Sequence, residues 1–230
     1  MRRWEMGDMD AKKFEGVGGL GKSQAPQDSE RSVEIIRAEA RDKSVWVRGM
    51  AVENPSAPED VIRAGAKDAA REVRKAAAGN PAAPEDVIRA GVVGDDLYVR
   101  AGAVENPSAP EDVIRAGARD KDEWVRMAAV GNPNAPEDVI RAGVADRSSW
   151  VRVAAVGNPN APEDVILTGV ADRSSLVREV AAKSPFLTAE LAENLSKSEV
   201  KGIQEALAEN PAVPERIRVV ARMRVEAGRR

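Results

Sequence analysis

The chain has 230 residues with 43% apolar content, enough for a folded core of one or two domains and too much for an intrinsically disordered protein. Lys and Arg number 35 against 38 Asp and Glu, so a formal charge of −3 excludes a global basic field for nucleic acid, although 32% charged residues leave room for local patches. With no Cys and no His, disulfides, thiolate metal sites and the nucleophiles and general bases of those two types are excluded.

Ala and Val supply most of the apolar content and aromatics only 3%, which predicts a core of many thin layers. No stretch approaches the eighteen or so apolar residues of a membrane helix. The first residues also lack the apolar core of a signal peptide. Both lead to the expectation of a cytoplasmic protein with no membrane span.

Residues 1–27 read as a flexible N-terminal tail. They contain GVGGLGKS, in which Gly16, Gly21, Lys22 and Ser23 fit the phosphate-loop spacing G-x-x-x-x-G-K-[ST]. Such a loop works between a buried strand and a helix, which aim its backbone N–H groups at the phosphates. Here MDAKKFE before it is too charged for a buried strand, and Pro26 falls where the helix would run. The scaffold for nucleotide binding through residues 16–23 is missing on both sides.

From Asp28 onward one period governs the chain. Asn-Pro recurs at Asn54, Asn80, Asn106, Asn132, Asn158 and Asn210, with Ser184-Pro185 in the gap, so each step is 26 residues. PEDVIRAG follows in register from Pro58, Pro84, Pro110 and Pro136, and PEDVILTG from Pro162. The period predicts about eight units of two short helices each: regular repeats over 28–183 and degenerate capping repeats over 184–230.

The first helix of each unit starts at the proline, with Glu-Asp at the positive end of its dipole. Glu59/Arg63, Glu85/Arg89, Glu111/Arg115 and Glu137/Arg141 are spaced for pairing along it. Gly65 either permits close backbone approach or ends the helix. The second helix reads from about Asp146 to Gly157 in DRSSWVRVAAVG, with Asp146 as its cap and Asn158-Pro159 as its stop. No single unit buries enough area to fold alone, so stacking must hold the array together.

The pattern D-x-x-x-x-V-R-x-x-A-A-x-x-N-P-x-x-P-E-x-V, as in Asp120 to Val139, resembles the bacterial leucine-rich repeat variant (LRV) family over about residues 28–220. The resemblance implies an all-α, right-handed, HEAT-like α-solenoid in which an α-helix stacks on a second short helix, either α or 3₁₀. The family's founding type carries a cysteine-ligated iron–sulfur segment; without Cys, this chain has no iron–sulfur cluster to offer and no cofactor is expected. The resemblance implies a fold and no activity.

Three rows of residues are candidates for function. Arg48, Arg74, Arg100, Arg126, Arg152 and Arg178 each lie six residues after Asp42, Asp68, Asp120, Asp146 or Asp172, with Asp95 standing next to Gly94 in the one exception. HEAT repeats use similar pairs as a structural ladder tying loop to helix, and charge-assisted bonds favour that use over a basic stripe for phosphates. Trp46, Tyr98, Trp124 and Trp150 share one position, with Glu72 and Leu176 as exceptions, and read either as rings sealing the core edge or as a partner-binding track. The turns entering the second helix vary while the frame stays fixed, which singles out Trp46, Arg71, Lys75, Tyr98, Trp124, Met127, Trp150 and Val153 as a partner-binding face.

At the C-terminal end, Arg216, Arg218, Arg222, Arg224, Arg229 and Arg230 form a basic helix that reads as a solvated cap. The leading expectation is a non-enzymatic scaffold for a protein partner. Nucleic-acid binding by a HEAT-like solenoid is the alternative.

Overall fold

A computed structural model describes residues 33–228; the GVGGLGKS stretch lies outside them. Among the described residues there are fifteen α-helices and no strand. They alternate as first and second helices: α1 (Val33–Glu39) with α2 (Val45–Glu53), α3 (Glu59–Gly65) with α4 (Arg71–Gly79), and α5 (Glu85–Val92) with α6 (Leu97–Glu105). Next come α7 (Glu111–Gly117) with α8 (Glu123–Gly131), α9 (Glu137–Gly143) with α10 (Ser149–Val156), and α11 (Glu163–Val170) with α12 (Ser175–Ala182). The series ends with α13 (Ala189–Ser196), α14 (Lys201–Glu209) and α15 (Glu215–Ala227). Both helices of each described pair are α, which settles the choice left open between α and 3₁₀.

Local chemistry explains the boundaries. Pro58, Pro84, Pro110, Pro136 and Pro162 are extended N-caps whose carbonyls accept the first helical N–H groups, as in Val61 N to Pro58 O at 2.9 Å. Asn54, Asn80, Asn106 and Asn132 leave the helical region at the C-cap because each precedes a proline. Asp146 does not cap α10 as the sequence suggested. Ser148 is the N-cap, and the Asp146 carboxylate accepts the Ser148 N–H from two residues upstream at 2.8 Å.

The layers are as thin as the composition requires. Ile36, Ile62, Ile88, Ile114, Ile140 and Ile166 recur every 26 residues, each fully buried or within 1% of it. Val73, Val99, Val125, Val151 and Val177 close the layer from the second helices. The glycine of PEDVIRAG is there for close approach: a Cβ on Gly65 would stand 2.7 Å from Val52, and one on Gly169 2.7 Å from Val156. The first helix thus lies directly against the preceding unit's second helix.

Second helices pack on one another more closely than first helices do, α4 against α6 most of all. Small residues allow it: a Cβ on Gly102 would lie 3.0 Å from the Lys75 carbonyl oxygen.

Candidate functional site

Four surfaces run along the array: the turns at each of its two edges, the exposed face of the first helices, and the exposed face of the second helices. Three of them are occupied by hydrogen bonds from one repeat to the next.

Along the edge of turns entering the second helices, the Arg row pairs across repeats and not within them. Arg48, Arg100, Arg126 and Arg152 each donate Nε and Nη2 to the Asp twenty residues on, Asp68, Asp120, Asp146 and Asp172, at 2.7 Å and 2.9–3.1 Å. The Asp six residues upstream contributes its backbone carbonyl, which accepts Nη1 (Arg126 to Asp120 O, 3.0 Å). Each Asp also accepts the backbone N–H two residues on, as Asp120 does from Asp122 at 2.8 Å.

Hydrogen bonds from Arg126 hold the Asp146 carboxyl below its ordinary range against the opposing effect of burial, and Arg48 does the same for Asp68. At Asp120 and Asp172 burial is the largest single influence and pushes upward, yet the Arg pair and the backbone N–H together outweigh it.

The ladder breaks at two rungs. Arg74 meets Gly94, and its nearest carboxylate is Asp96 at 3.8 Å; Asp95, which the sequence set beside Gly94 as the stand-in for Arg100, gives Arg100 only its backbone carbonyl at 2.8 Å. Arg178 keeps its bond to the Asp172 carbonyl at 2.7 Å, but Ser198 replaces the acid it would pair with. Asp42, at the other end, accepts the Ser44 N–H at 2.7 Å.

The opposite edge holds a row that sequence reasoning saw only as helix stops. Asn80, Asn106, Asn132, Asn158 and Asn210 are buried, and each donates both Nδ2 hydrogens to carbonyls of the preceding repeat at 2.6–3.2 Å. Asn132, for instance, reaches Val104 O and Asn106 O while its Oδ1 accepts the Asn134 N–H. The signal was present in the sequence: many residues can precede a proline, yet this one is always Asn or Ser.

On the exposed face of the first helices, Arg63, Arg89, Arg115 and Arg141 make the expected pairs with the Glu four residues back. Each also bridges to the Asp 23 residues on, as Arg63 does to Asp86.

The exposed face of the second helices carries no such ladder. Trp46, Tyr98, Trp124 and Trp150 stand on it in the first turns, 72%, 44%, 44% and 48% exposed, so they do not seal the core. Glu72 at the same position is solvated and costs nothing there. Three residues further on, on the same side of the helix, Lys75, Met127 and Val153 are half-buried, with Met127 and Val153 packed on the core beneath. Arg71 lies over the Tyr98 ring at 4.9 Å, joining two repeats across this face.

No family model and no curated protein matches the sequence. Two solved structures share the architecture. One is described as a leucine-rich repeat variant with a novel repetitive structural motif; it is 19% identical, with 83% of this chain and 81% of that chain covered at a TM-score of 0.57. The other, YibA of E. coli, is 15% identical over 90% of this chain and 99% of that one, with a TM-score of 0.53. The likeness is one of fold: an all-α solenoid of stacked helix pairs. No helix among the described residues is long and apolar enough to cross a membrane, and none of their acidic groups cluster as a metal site would require.

Proposed function

We propose that this chain is a non-enzymatic scaffold that captures another protein on the exposed face of its second helices. The observation that carries the reading is the contrast between surfaces: three are committed to bonds between repeats, and the fourth displays half-exposed aromatic side chains over a half-buried floor. Side chains held out of the core in successive repeats, at one position of a rigid array, suit the large aromatic anchors that dominate protein interfaces. Trp46, Arg71, Lys75, Tyr98, Trp124, Met127, Trp150 and Val153 form the face. The Arg71–Tyr98 contact pre-orders part of it, lowering the entropy lost on binding.

The basic C-terminal helix gives little support to nucleic-acid binding. Arg216 is paired with Glu193 at 3.0 Å and Arg222 with Glu215 at 3.3 Å, and Arg218 also contacts Glu215.

The test is a partner isolated from the native cell, with affinity and stability measured side by side. Trp124→Ala and Trp150→Ala should each weaken that partner by about tenfold or more, the scale of an interface hot spot. Both variants should leave the melting temperature within a degree or two of the parent. A large loss of stability with unchanged affinity would return the rings to a packing role, and a gel shift with RNA or DNA that fades steeply with salt would favour the other class of partner.

A further inference from the structure

The broken rung at Gly94 coincides with a cleft of about 360 Å³, lined by Ala66, Ala78, Val87 and Val99 together with Arg74, Gly94 and the acidic residues Asp95 and Asp96. Two truncations shape it. Ala78 stands where Val52, Val104, Val130 and Val156 stand in other repeats, and Gly94 where Asp42, Asp68, Asp120, Asp146 and Asp172 stand.

Arg74 is nevertheless held as its counterparts are. Its Nη1 donates to Asp68 O at 2.8 Å and Ala69 O at 2.7 Å, which fixes the guanidinium plane. The opposite edge, Nε and Nη2, takes an Asp carboxylate in the four intact rungs; in Arg74 it makes no hydrogen bond among the described residues, and Nη2 has only a long ion pair with Asp96 at 3.8 Å. A fixed guanidinium fork is a carboxylate receptor by geometry.

We propose that this cleft binds a carboxylate from outside the chain, an Asp or Glu side chain of a partner segment, which takes the place of the ladder Asp that Gly94 lacks. Asp96 does not forbid it. Asp122 occupies the equivalent position one repeat on and caps its helix in the same way, accepting the Trp124 N–H at 2.9 Å as Asp96 accepts the Tyr98 N–H at 2.9 Å. Arg100 there still holds Asp120 with both of its bonds. The next repeat thus shows the completed rung, with Lys121 in the place of Asp95. The proposal rests on the protein-scaffold reading only for the source of the carboxylate.

The test follows the Arg74 Nε–H resonance during titration with N-acetyl-aspartate N-methylamide, a copy of the missing side chain. Saturation with a midpoint near about 1 mM to tens of mM is expected, a weak affinity suited to one ion pair in a small cleft. The Asn analogue should not shift the resonance.

Gly94→Asp is tolerable by geometry, since its Cβ would meet nothing closer than Gly91 O at 3.4 Å. It should move the resonance to the bound position, abolish the titration and raise the melting temperature. Ala78→Val, which narrows the cleft without changing charge, should weaken the probe several-fold.

No shift in the parent, an equal shift with the Asn analogue, or an undiminished titration in Gly94→Asp would overturn the proposal. Succinate binding at least tenfold tighter than the capped Asp would overturn the peptide source and leave a small organic acid. Probe binding that survives when Trp124→Ala has no effect on any captured protein would sink the aromatic-face reading while the cleft stands.

Discussion

The repeats from Leu97 to Asp172 and the units beyond Ser184 hold the same helix pairs together by different means. In the centre, three consecutive Arg–Asp rungs and three consecutive Asn rungs tie small-residue layers to one another. Beyond Ser184 most of those rungs are gone: Ser184 replaces Asn, Ser198 replaces Asp, and Gln204 replaces Arg, keeping only bonds to the Ser196 and Ser198 carbonyls. Apolar bulk rises in compensation. Leu187 stands where the centre has Ala161, Leu195 where it has Gly169 and Leu207 where it has Ala155, and all three leucines are buried. Specific polar registration and hydrophobic volume are therefore interchangeable as the glue of this solenoid, and the centre has committed to the first.

The largest test of that contrast is the Asn ladder. Asn132→Ala strips the donor from Val104 O, removes one of two donors from Asn106 O, which still accepts the Ala109 N–H, and removes the turn that Oδ1 organises, in a buried setting where an orphaned group costs about 1–3 kcal/mol and each further lost bond about 1 kcal/mol. A loss of about 3 kcal/mol or more is expected in denaturant unfolding. Ser184→Asn should run the other way, gaining about 1 kcal/mol, because the 26-residue register would aim its Nδ2 at Val156 O and Asn158 O. If Ser184→Asn is destabilising, the C-terminal units have drifted out of register and the comparison fails.

Next in size is the Arg row, where centre and end differ in pH response. Arg126→Ala leaves Asp146 charged and half-buried without its partner, and should cost about 2–4 kcal/mol at neutral pH. Arg178→Ala, with no acid to abandon, should cost about 1 kcal/mol. The Asp146 carboxyl titrates lower in the folded chain than in the unfolded one, so its stabilisation is complete above the ordinary Asp value of about 4 and is lost as pH falls through the lowered folded value. The Arg126→Ala penalty should shrink in that acid window while the Arg178→Ala penalty stays flat. Urea titrations from about pH 3 to pH 7 distinguish the two.

How much of this was written in the sequence follows from what a period can reveal. The 26-residue clock gives the helix pairs, the buried Ile row and the solenoid because each follows from local pattern and stacking. Bond partners are a different matter. Arg126 lies six residues from Asp120 and twenty from Asp146, and a spacing along one chain cannot tell which of two equivalent acids a superhelix brings to it.

The aromatic row was legible as a row but not as a surface. Trp124 is the second residue of a short helix, and whether that position faces in or out depends on how the preceding turn delivers the helix. The cleft was legible only as two small departures, Ala78 and Gly94, that lie sixteen positions apart in sequence and meet across the layer.

The smallest effect belongs to the exposed face of the first helices, where the row of Arg pairs ends at Leu167. Leu167→Arg would place a guanidinium four residues after Glu163 and 23 before Glu190, copying the geometry of Arg141 with Glu137 and Asp164. Exposed pairs of this kind contribute a few tenths to about 1 kcal/mol and are screened by salt, so the gain should be small at low ionic strength and vanish near about 1 M NaCl. A gain above about 1 kcal/mol that survives salt would mean that the outer row registers repeats as the buried ladders do. The face left for a partner would then be defined even more narrowly by the second helices, since it alone would hold no bond between repeats beyond the Arg71–Tyr98 contact.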